Sequence, residues 1–161
     1  MPRTVCGSKA RAALLAGKYD GFLRRCRRVQ VNGMVTINEL FHLLQQFPGQ
    51  RIITQHTEAN ADLADDRVNY GYLGIHHEIL VDGSGGRGIV PNEWVAPRTG
   101  KKVGYAGGLG FMNLHEELPK IKRVASVGAW IDMESSLRNK EDRFDIEYAK
   151  LAIRAKDLAN V

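Results

Sequence analysis

The chain has 161 residues, 43% of them hydrophobic, which suffices for one domain with a single core and makes a second independent domain unexpected. Two cysteines, Cys6 and Cys26, are too few for a secreted disulfide scaffold, and no apolar run has the length of a membrane span, so we expect a cytoplasmic protein. The net charge of +5 permits anionic partners, either phosphorylated metabolites or nucleic acid, without choosing between them.

Short apolar runs alternate with loops and with segments of helical periodicity, which is the pattern of successive βα units. A first strand is predicted near Thr4–Cys6, followed by a helix over about Lys9–Leu15. Clearer strands follow near residues 28–31, 51–55, 78–82, 102–106 and 129–132. Because parallel strands need such helical crossovers, the sequence predicts an α/β fold with about five to six parallel strands and flanking helices, as a single domain over 1–161.

Two helix starts are indicated by a capping residue followed three positions later by a glutamate. These pairs are Thr36 with Glu39 and Asn113 with Glu116, in which side chain and backbone amide satisfy each other. The last helix is predicted from about Asp145. Its packing stripe is predicted to consist of Phe144, Tyr148, Leu151, Ala155 and Leu158.

The densest positive cluster consists of Arg24, Arg25, Arg27 and Arg28. No aromatic residue that would stack on a base is interleaved with these arginines, and the cluster runs directly into the apolar Val29. A solvated helix end is therefore favoured over a nucleic-acid site.

Three consecutive segments carry glycine-rich or acidic signatures at strand ends: Glu78–Asp82 with Gly83–Gly88 and Trp94, Ala106–Gly110 with Asn113, and Trp130–Leu137 with Asp145. In this order they resemble the sixth, seventh and eighth strands of phosphoribosylanthranilate isomerase, and Val29–Gly33 resembles its fourth strand. The resemblance covers about residues 28–150 and implies a partial (β/α)8 TIM-type barrel, about two βα units short of the usual eight. Asn32, Glu93 and Glu134 depart from the commonest residues of that family.

The resemblance implies an Amadori-type isomerisation of a phosphorylated sugar-amine in tryptophan biosynthesis. In this reaction an acid protonates the ribose ring oxygen and a base removes the proton at C2. Asp82 takes the position of the acid, although it also suits a loop-capping role. Asp132 matches an aspartate that contacts the substrate near its amine, with a structural loop cap as the alternative. Cys6 resembles the catalytic base of the family's first strand, but too few residues separate it from Val29 for the three βα units expected between them.

The resemblance also implies a phosphate site at the loops after the last two strands, where backbone amides point toward the anion. The residues expected to contribute are Gly107, Gly108, Ser135 and Ser136, with Gly85, Gly86, Arg87 and Gly88 closing over the anion. The alternative is that the glycines only make tight turns. Glu134, where the family usually has Ser, would repel a phosphate unless its side chain points away or the ligand differs. No cofactor and no metal ion is expected.

Three classes of function stay open at this point. The first is an isomerase-like enzyme, completed by a second copy or by a missing N-terminal segment because the edges of a six-stranded sheet invite association. The second is a truncated, inactive relative that binds phosphosugars through the retained phosphate site. The third is an open doubly wound sheet that binds a nucleotide. The expected partner is a phosphorylated small molecule, and neither a membrane nor a nucleic acid is expected.

Overall fold

The structure, a computed structural model, describes residues 3–5, 7–65 and 76–158, of which 3–5, 157 and 158 are described by their backbone alone. Its six strands occur in one sheet in chain order, β1-β2-β3-β4-β5-β6. They are Arg3–Val5 (β1), Arg28–Val31 (β2), Arg51–His56 (β3), His77–Asp82 (β4), Val103–Ala106 (β5) and Trp130–Ile131 (β6). The strand predicted at 28–31 is confirmed to the residue, and the others shift by one position at one or both ends. The shortening of β6 leaves Ala129 and Asp132 outside the strand.

The strand pairs with described registers are parallel. Thr4 pairs with Gln30, Val29 with Ile52, and Gly104 with Trp130. This arrangement confirms the predicted parallel α/β class, because the two strands of each of these pairs are joined by a crossover that returns the chain to the same end of the sheet.

The helices of the described residues are Ser8–Leu15 (α1), Asp20–Leu23 (α2), Ile37–Gln46 (α3), Leu114–Val124 (α4) and Ile146–Leu158 (α5). Short 3₁₀-helices cover Glu58–Ala64 and Ser135–Leu137. No helix among the described residues combines the length and the apolar character needed to cross a bilayer.

The chain forms two compact units. The first comprises Met1–Leu80 and Pro97–Lys102, and the second comprises Val81–Ala96 and Val103–Val161. Strand β4 contributes to both, since Val81 and Asp82 fall in the second unit. The expectation of a single domain stays a prediction.

In the first unit, α1 and α3 cover an apolar core that includes Val29, Val31 and Ile52. Helix α3 begins with the predicted capping box. The Glu39 N–H donates to Thr36 Oγ1 at 3.2 Å, and the Thr36 N–H donates to Glu39 Oε2 at 2.8 Å. The box is therefore confirmed, and it fixes the helix start from the local sequence alone.

The first unit also buries polar side chains. Thr54 and His77 Nε2 are hydrogen-bonded at 2.8 Å. Burial and the positive charge of Lys101 lower the pKa of His77 to about 3, so the imidazole is neutral. The fully buried Glu78 carboxylate is paired with both Arg28 and Arg51, which supplies the opposite charge that a buried carboxylate requires.

In the second unit, the core is built on Val103 and Tyr105 of β5 and on the inner face of α4. The stripe predicted for the last helix is wrong in two positions, because Phe144 is 50% exposed and Leu151 is 40% exposed. The side chain of Leu158 lies outside the described residues. Helix α5 begins at Ile146, after Asp145 Oδ1 accepts the Glu147 N–H at 2.8 Å. The residues it turns inward include Ala152 and Ala155, which lie near the same face at helical spacing.

Candidate active site

Asp82 organises the loop that follows β4. Its Oδ1 accepts hydrogen bonds from the Ser84 N–H at 3.0 Å and the Ser84 hydroxyl at 2.7 Å, and its Oδ2 accepts the Gly86 N–H at 2.7 Å. These contacts are those of an Asx-type loop cap. The structural role considered for Asp82 is therefore present, while its role as a general acid stays a prediction.

Ser84 is a site residue that sequence reasoning missed. It is buried, its hydroxyl accepts the Gly88 N–H at 3.0 Å, and its carbonyl accepts a hydrogen bond from Arg87 Nε at 2.8 Å. The signal for it was present, since Asp followed two residues later by Ser is a common arrangement for side chain-to-backbone turns. Ser84 thus joins the beginning and the end of the glycine loop.

The glycine loop uses its own amides internally. The Gly85 N–H donates to the Asp82 carbonyl at 3.0 Å, and the N–H groups of Gly86 and Gly88 donate to the Asp82 and Ser84 side chains. All three glycines have positive φ, between 62° and 85°, a conformation that favours glycine. The loop is therefore a closed turn whose amides already have partners before any ligand binds.

Gly107 and Gly108, directly after β5, allow two backbones to approach closely. A Cβ on Gly108 would lie 2.4 Å from the Val90 nitrogen, and a Cβ on Gly107 would lie 3.2 Å from both the Ser84 nitrogen and the Ile89 carbonyl oxygen. Only glycine fits such a contact without displacing the neighbouring loop. The loops after β4 and β5 are thus packed backbone against backbone.

The loop after β6 joins the same cluster. The Ser136 hydroxyl donates to the Leu109 carbonyl, and a Cβ on Gly110 would lie 2.9 Å from Ser136 Cβ. Ser135 is exposed, with its Oγ 3.6 Å from the position of a Cβ on Gly88. The loops after β4, β5 and β6 therefore converge, as the sequence predicted, although the Ser136 hydroxyl is used within the protein.

Asp132 follows β6 and lies near Asp82. Its N–H donates to the Tyr105 carbonyl at 2.9 Å, which continues the pairing of β6 with β5. Burial raises the pKa of Asp132, the negative charges of Glu134 and Asp82 raise it further, and a hydrogen bond from the Met133 backbone opposes them. The site thus contains two neighbouring carboxyl groups, and the ionised form of Asp132 is disfavoured.

Glu134 stands at the position where a serine was expected. Its side chain is 68% exposed and pairs with Arg138, with Arg138 Nη2 3.5 Å from Glu134 Oε1. Arg138 also donates to the Asp142 carbonyl at 3.0 Å. Glu134 therefore has a cationic partner, yet it remains close enough to Asp132 to raise the pKa of that residue.

Trp94 and Glu117, two side chains outside the predicted site, hold the loops of that site in place. Trp94 Nε1 donates to Glu117 Oε2 at 2.8 Å, and Lys120 Nζ lies 2.7 Å from Glu117 Oε1. Trp94 also packs edge-on against Tyr105, with 6.1 Å between ring centroids. The segment that returns from the glycine loop is thereby fixed to α4 and β5 through a buried carboxylate.

Asn113 has a different role from the one predicted. It precedes α4 as expected, but no side-chain cap hydrogen bond forms there. Its Oδ1 accepts the Gly110 N–H at 2.9 Å and its Nδ2 donates to the Gly108 carbonyl at 2.9 Å. The predicted capping box with Glu116 is therefore wrong, because the amide is used to tie the glycine turn after β5.

The structure thus brings together Asp82, Gly107, Asp132 and Ser135 at the strand ends of the second unit. Arg87 is exposed at the same loop, oriented by its Nε hydrogen bond. Cys6, predicted as a candidate base, lies outside the described residues, and its assignment stays a prediction.

Comparison with solved structures finds similarity to a crystal structure of TrpF, a phosphoribosylanthranilate isomerase, from Jonesia denitrificans. The TM-score is 0.60 at 15% sequence identity, and the match covers 99% of this chain and 70% of that chain. No protein-family model matches the sequence, and no curated protein matches it. The likeness shows the fold, an α/β architecture consistent with a partial TIM-type barrel, and confirms at that level the resemblance drawn from the motifs.

Proposed function

We propose that this chain is a phosphoribosylanthranilate isomerase-like enzyme that catalyses an Amadori-type aldose-ketose isomerisation of a phosphorylated sugar-amine in tryptophan biosynthesis. The proposal rests on one observation above the others. The loops after β4, β5 and β6 converge with Asp82 and Asp132 at one end of parallel strands, where the active sites of barrel enzymes lie.

The paired carboxyl groups support acid catalysis. Ring opening needs a proton delivered to the ribose oxygen, and a carboxyl group placed beside that oxygen can deliver it. Asp82 holds the position implied by the resemblance, and Asp132 lies beside it with a pKa that is raised by burial and by the charges of Glu134 and Asp82. We assign proton donation to this pair and keep Cys6 as the proposed base that removes the C2 proton.

The proposed phosphate site is smaller than the sequence suggested. The amides of Gly85, Gly86 and Gly88 are engaged within their own loop. We therefore assign anion contact to the backbone at Gly107 and Gly108, to the exposed Ser135 and to the terminal guanidinium nitrogens of Arg87, with the other cradle residues shaping the loops. No described residue forms an ion pair or a hydrogen bond with those terminal nitrogens. The pairing of Glu134 with Arg138 reduces the repulsion that a free carboxylate would impose.

A second candidate function is a catalytically inactive protein that binds phosphosugars. The observation that favours it is the use of both Asp82 oxygens by Ser84 and Gly86. A carboxylate committed to its own loop has little freedom to deliver a proton to a substrate.

The test is turnover of phosphoribosylanthranilate by the purified full chain, followed as the loss of anthranilate-type fluorescence. Asp132→Asn is the site variant, and Glu141→Gln, an exposed carboxylate elsewhere, is the control. Turnover that falls at least about a hundredfold in Asp132→Asn alone supports the enzyme, since general acid-base groups contribute that much or more. Binding of the compound without turnover supports the second candidate. The absence of both turnover and binding contradicts both proposals.

The sedimentation behaviour of the same preparation tests the predicted association. Completion of the barrel by a second copy or a further chain stays a prediction. A cytoplasmic location also stays a prediction.

A further inference from the structure

A cavity of about 610 Å³ lies in the second unit, and none of the residues assigned to the candidate active site lines it. It is lined by α4, by the segment Ala125–Ala129 that precedes β6, and by β6 itself. Asp132 and Ser135, in contrast, follow β6. The cavity therefore plays no part in the proposed isomerase site. Its volume falls in the range of about 300–1000 Å³ that is usual for small-molecule sites.

The wall of the cavity is apolar. Leu118 and Ile121 of α4 belong to the core and are 3% and 4% exposed, and Ala129 and Ile131 pack against the same core. Val127 is fully exposed at this surface. The aliphatic part of the wall favours a carbon-rich body over a sugar or an inorganic ion, because aliphatic side chains offer no hydrogen bonds.

Trp130 provides one rigid face. A Cβ on Gly104 would lie 2.4 Å from the Trp130 ring, so the indole lies directly on the β5 backbone. The ring is half-buried and lines the cavity. A fixed aromatic plane of this kind suits a planar or aliphatic ligand body.

The charge of the lining is positive. Lys122 and Lys156 both line the cavity and both are exposed. The described residues that line it include no aspartate or glutamate. The lining therefore complements a negative head group attached to an apolar body.

From these features we propose that the cavity binds an amphiphilic monoanion, a small molecule with an aromatic or aliphatic body and a single carboxylate or sulfonate group. The apolar body lies against Trp130, Leu118 and Ile121. The head group lies between Lys122 and Lys156.

The probe for the test is 8-anilinonaphthalene-1-sulfonate, titrated into the full chain while its fluorescence and energy transfer from tryptophan are recorded. We expect saturable binding of one probe per chain. We also expect binding to weaken with added salt, because salt screens the lysine charges.

Two surface variants test the contacts without removing core packing. The double variant Lys122→Gln with Lys156→Gln, and separately Val127→Asp, are each expected to weaken binding by roughly five- to tenfold. The control is the double variant Lys9→Gln with Lys140→Gln, which changes the net charge equally at exposed positions away from the cavity. It is expected to leave binding unchanged. A neutral dye, Nile red, is expected to bind the lysine variant as it binds the wild-type chain.

Three results would overturn the proposal: non-saturable or absent binding, equal loss of affinity in the control and cavity variants, or a dimer that Val127→Asp dissociates. The last result would assign this face to a second copy of the chain. None of them bears on the isomerase proposal, because that proposal is tested by turnover and its assigned site residues do not line the cavity.

Discussion

The Ser84 hydroxyl donates to Asp82 Oδ1 at 2.7 Å, so the residue placed as a candidate acid is also the anchor of its own loop. These two functions make different demands on Asp82. Loop anchoring needs two oxygens that accept hydrogen bonds, whereas acid catalysis needs a proton directed at the substrate. Stability measurements on matched variants separate the two.

We predict that Asp82→Asn lowers the free energy of unfolding by about 1–2 kcal/mol, because an amide nitrogen would face one of the present donors. For a chain of this size the loss corresponds to a fall in Tm of several degrees. Asp132→Asn is the matched comparison. Burial and the charges of Glu134 and Asp82 raise the pKa of Asp132, so the neutral amide is expected to leave Tm at pH 7 unchanged or higher.

The raised pKa of Asp132 also sets the direction in which the stability of Asp132→Asn changes with pH, relative to the wild-type chain. Because the folded-state pKa of Asp132 is raised, its contribution is most favourable below the ordinary value of 3.8 and is lost as pH rises above it. Asp132→Asn should therefore gain stability relative to the wild-type chain as the pH increases. Urea titrations between acidic and neutral pH measure this, and a constant difference between the two proteins would contradict it.

The loop contact at Gly108 is tested by an alanine pair. Gly108 and Gly85 have similar positive φ values of 58° and 62°, so the backbone penalty of alanine is about 1–2 kcal/mol at both. A Cβ on Gly108 meets the Val90 nitrogen at 2.4 Å, whereas a Cβ on Gly85 meets nothing within 4 Å. Gly108→Ala should destabilise the protein by about 3 kcal/mol or more in thermal melts. Equal losses in the two variants would show that the close approach of the loops does not exist.

The contact between Trp94 and Glu117 is tested by a double-mutant cycle. Burial raises the pKa of Glu117, but hydrogen bonds from Lys120 and Trp94 and the Lys120 charge outweigh it, and the pKa lies below its ordinary 4.5. Trp94→Phe keeps most of the ring and removes the donor, at an expected cost of about 1–3 kcal/mol.

In a Glu117→Gln background the same substitution should have a smaller effect, measured by urea unfolding. The Glu117 contribution is present above pH 4.5 and is lost as the pH falls through the lowered value. The Gln variant should therefore be less sensitive to acid. Additive losses in the cycle would mean that the two side chains are not coupled.

The lowered pKa of His77 predicts a second loss of protein stability as the pH falls. Its pKa is lowered from 6.5 to about 3, so below pH 6.5 the unfolded chain binds a proton that the folded chain does not. Stability should fall with decreasing pH in this window, by at most about 1.4 kcal/mol per pH unit. His77→Gln should remove this slope, while His115→Gln, at an exposed position, should not. Chemical denaturation at a series of pH values measures both slopes.

The sequence was sufficient for the strands, because a buried parallel strand is a short apolar run between turn residues. It was sufficient for the Thr36 box as well, since that motif is satisfied by residues within three positions of each other. The proximity of the two candidate site residues could be predicted in the same way. Asp82 ends a strand, Asp132 directly follows one, and parallel strands bring such ends together.

Other features depended on contacts between distant segments. Asn113 has the sequence of a cap, yet its amide reaches back to Gly108 and Gly110, and no local pattern distinguishes these uses. Glu117 lies in the middle of a helix and acquires its role only from Trp94, 23 positions away. The predicted stripe of the last helix was wrong at Phe144 and Leu151, because an apolar side chain is buried only where another element covers it.

Trp130 and Gly104 are neighbours in the register of β5 and β6, and the indole occupies the space above the glycine. A large side chain at position 130 therefore fits only when the residue at position 104 is small. Homologous proteins that carry alanine or valine at the Gly104 position are expected to carry a smaller residue than tryptophan opposite it, so the two positions should vary together during evolution.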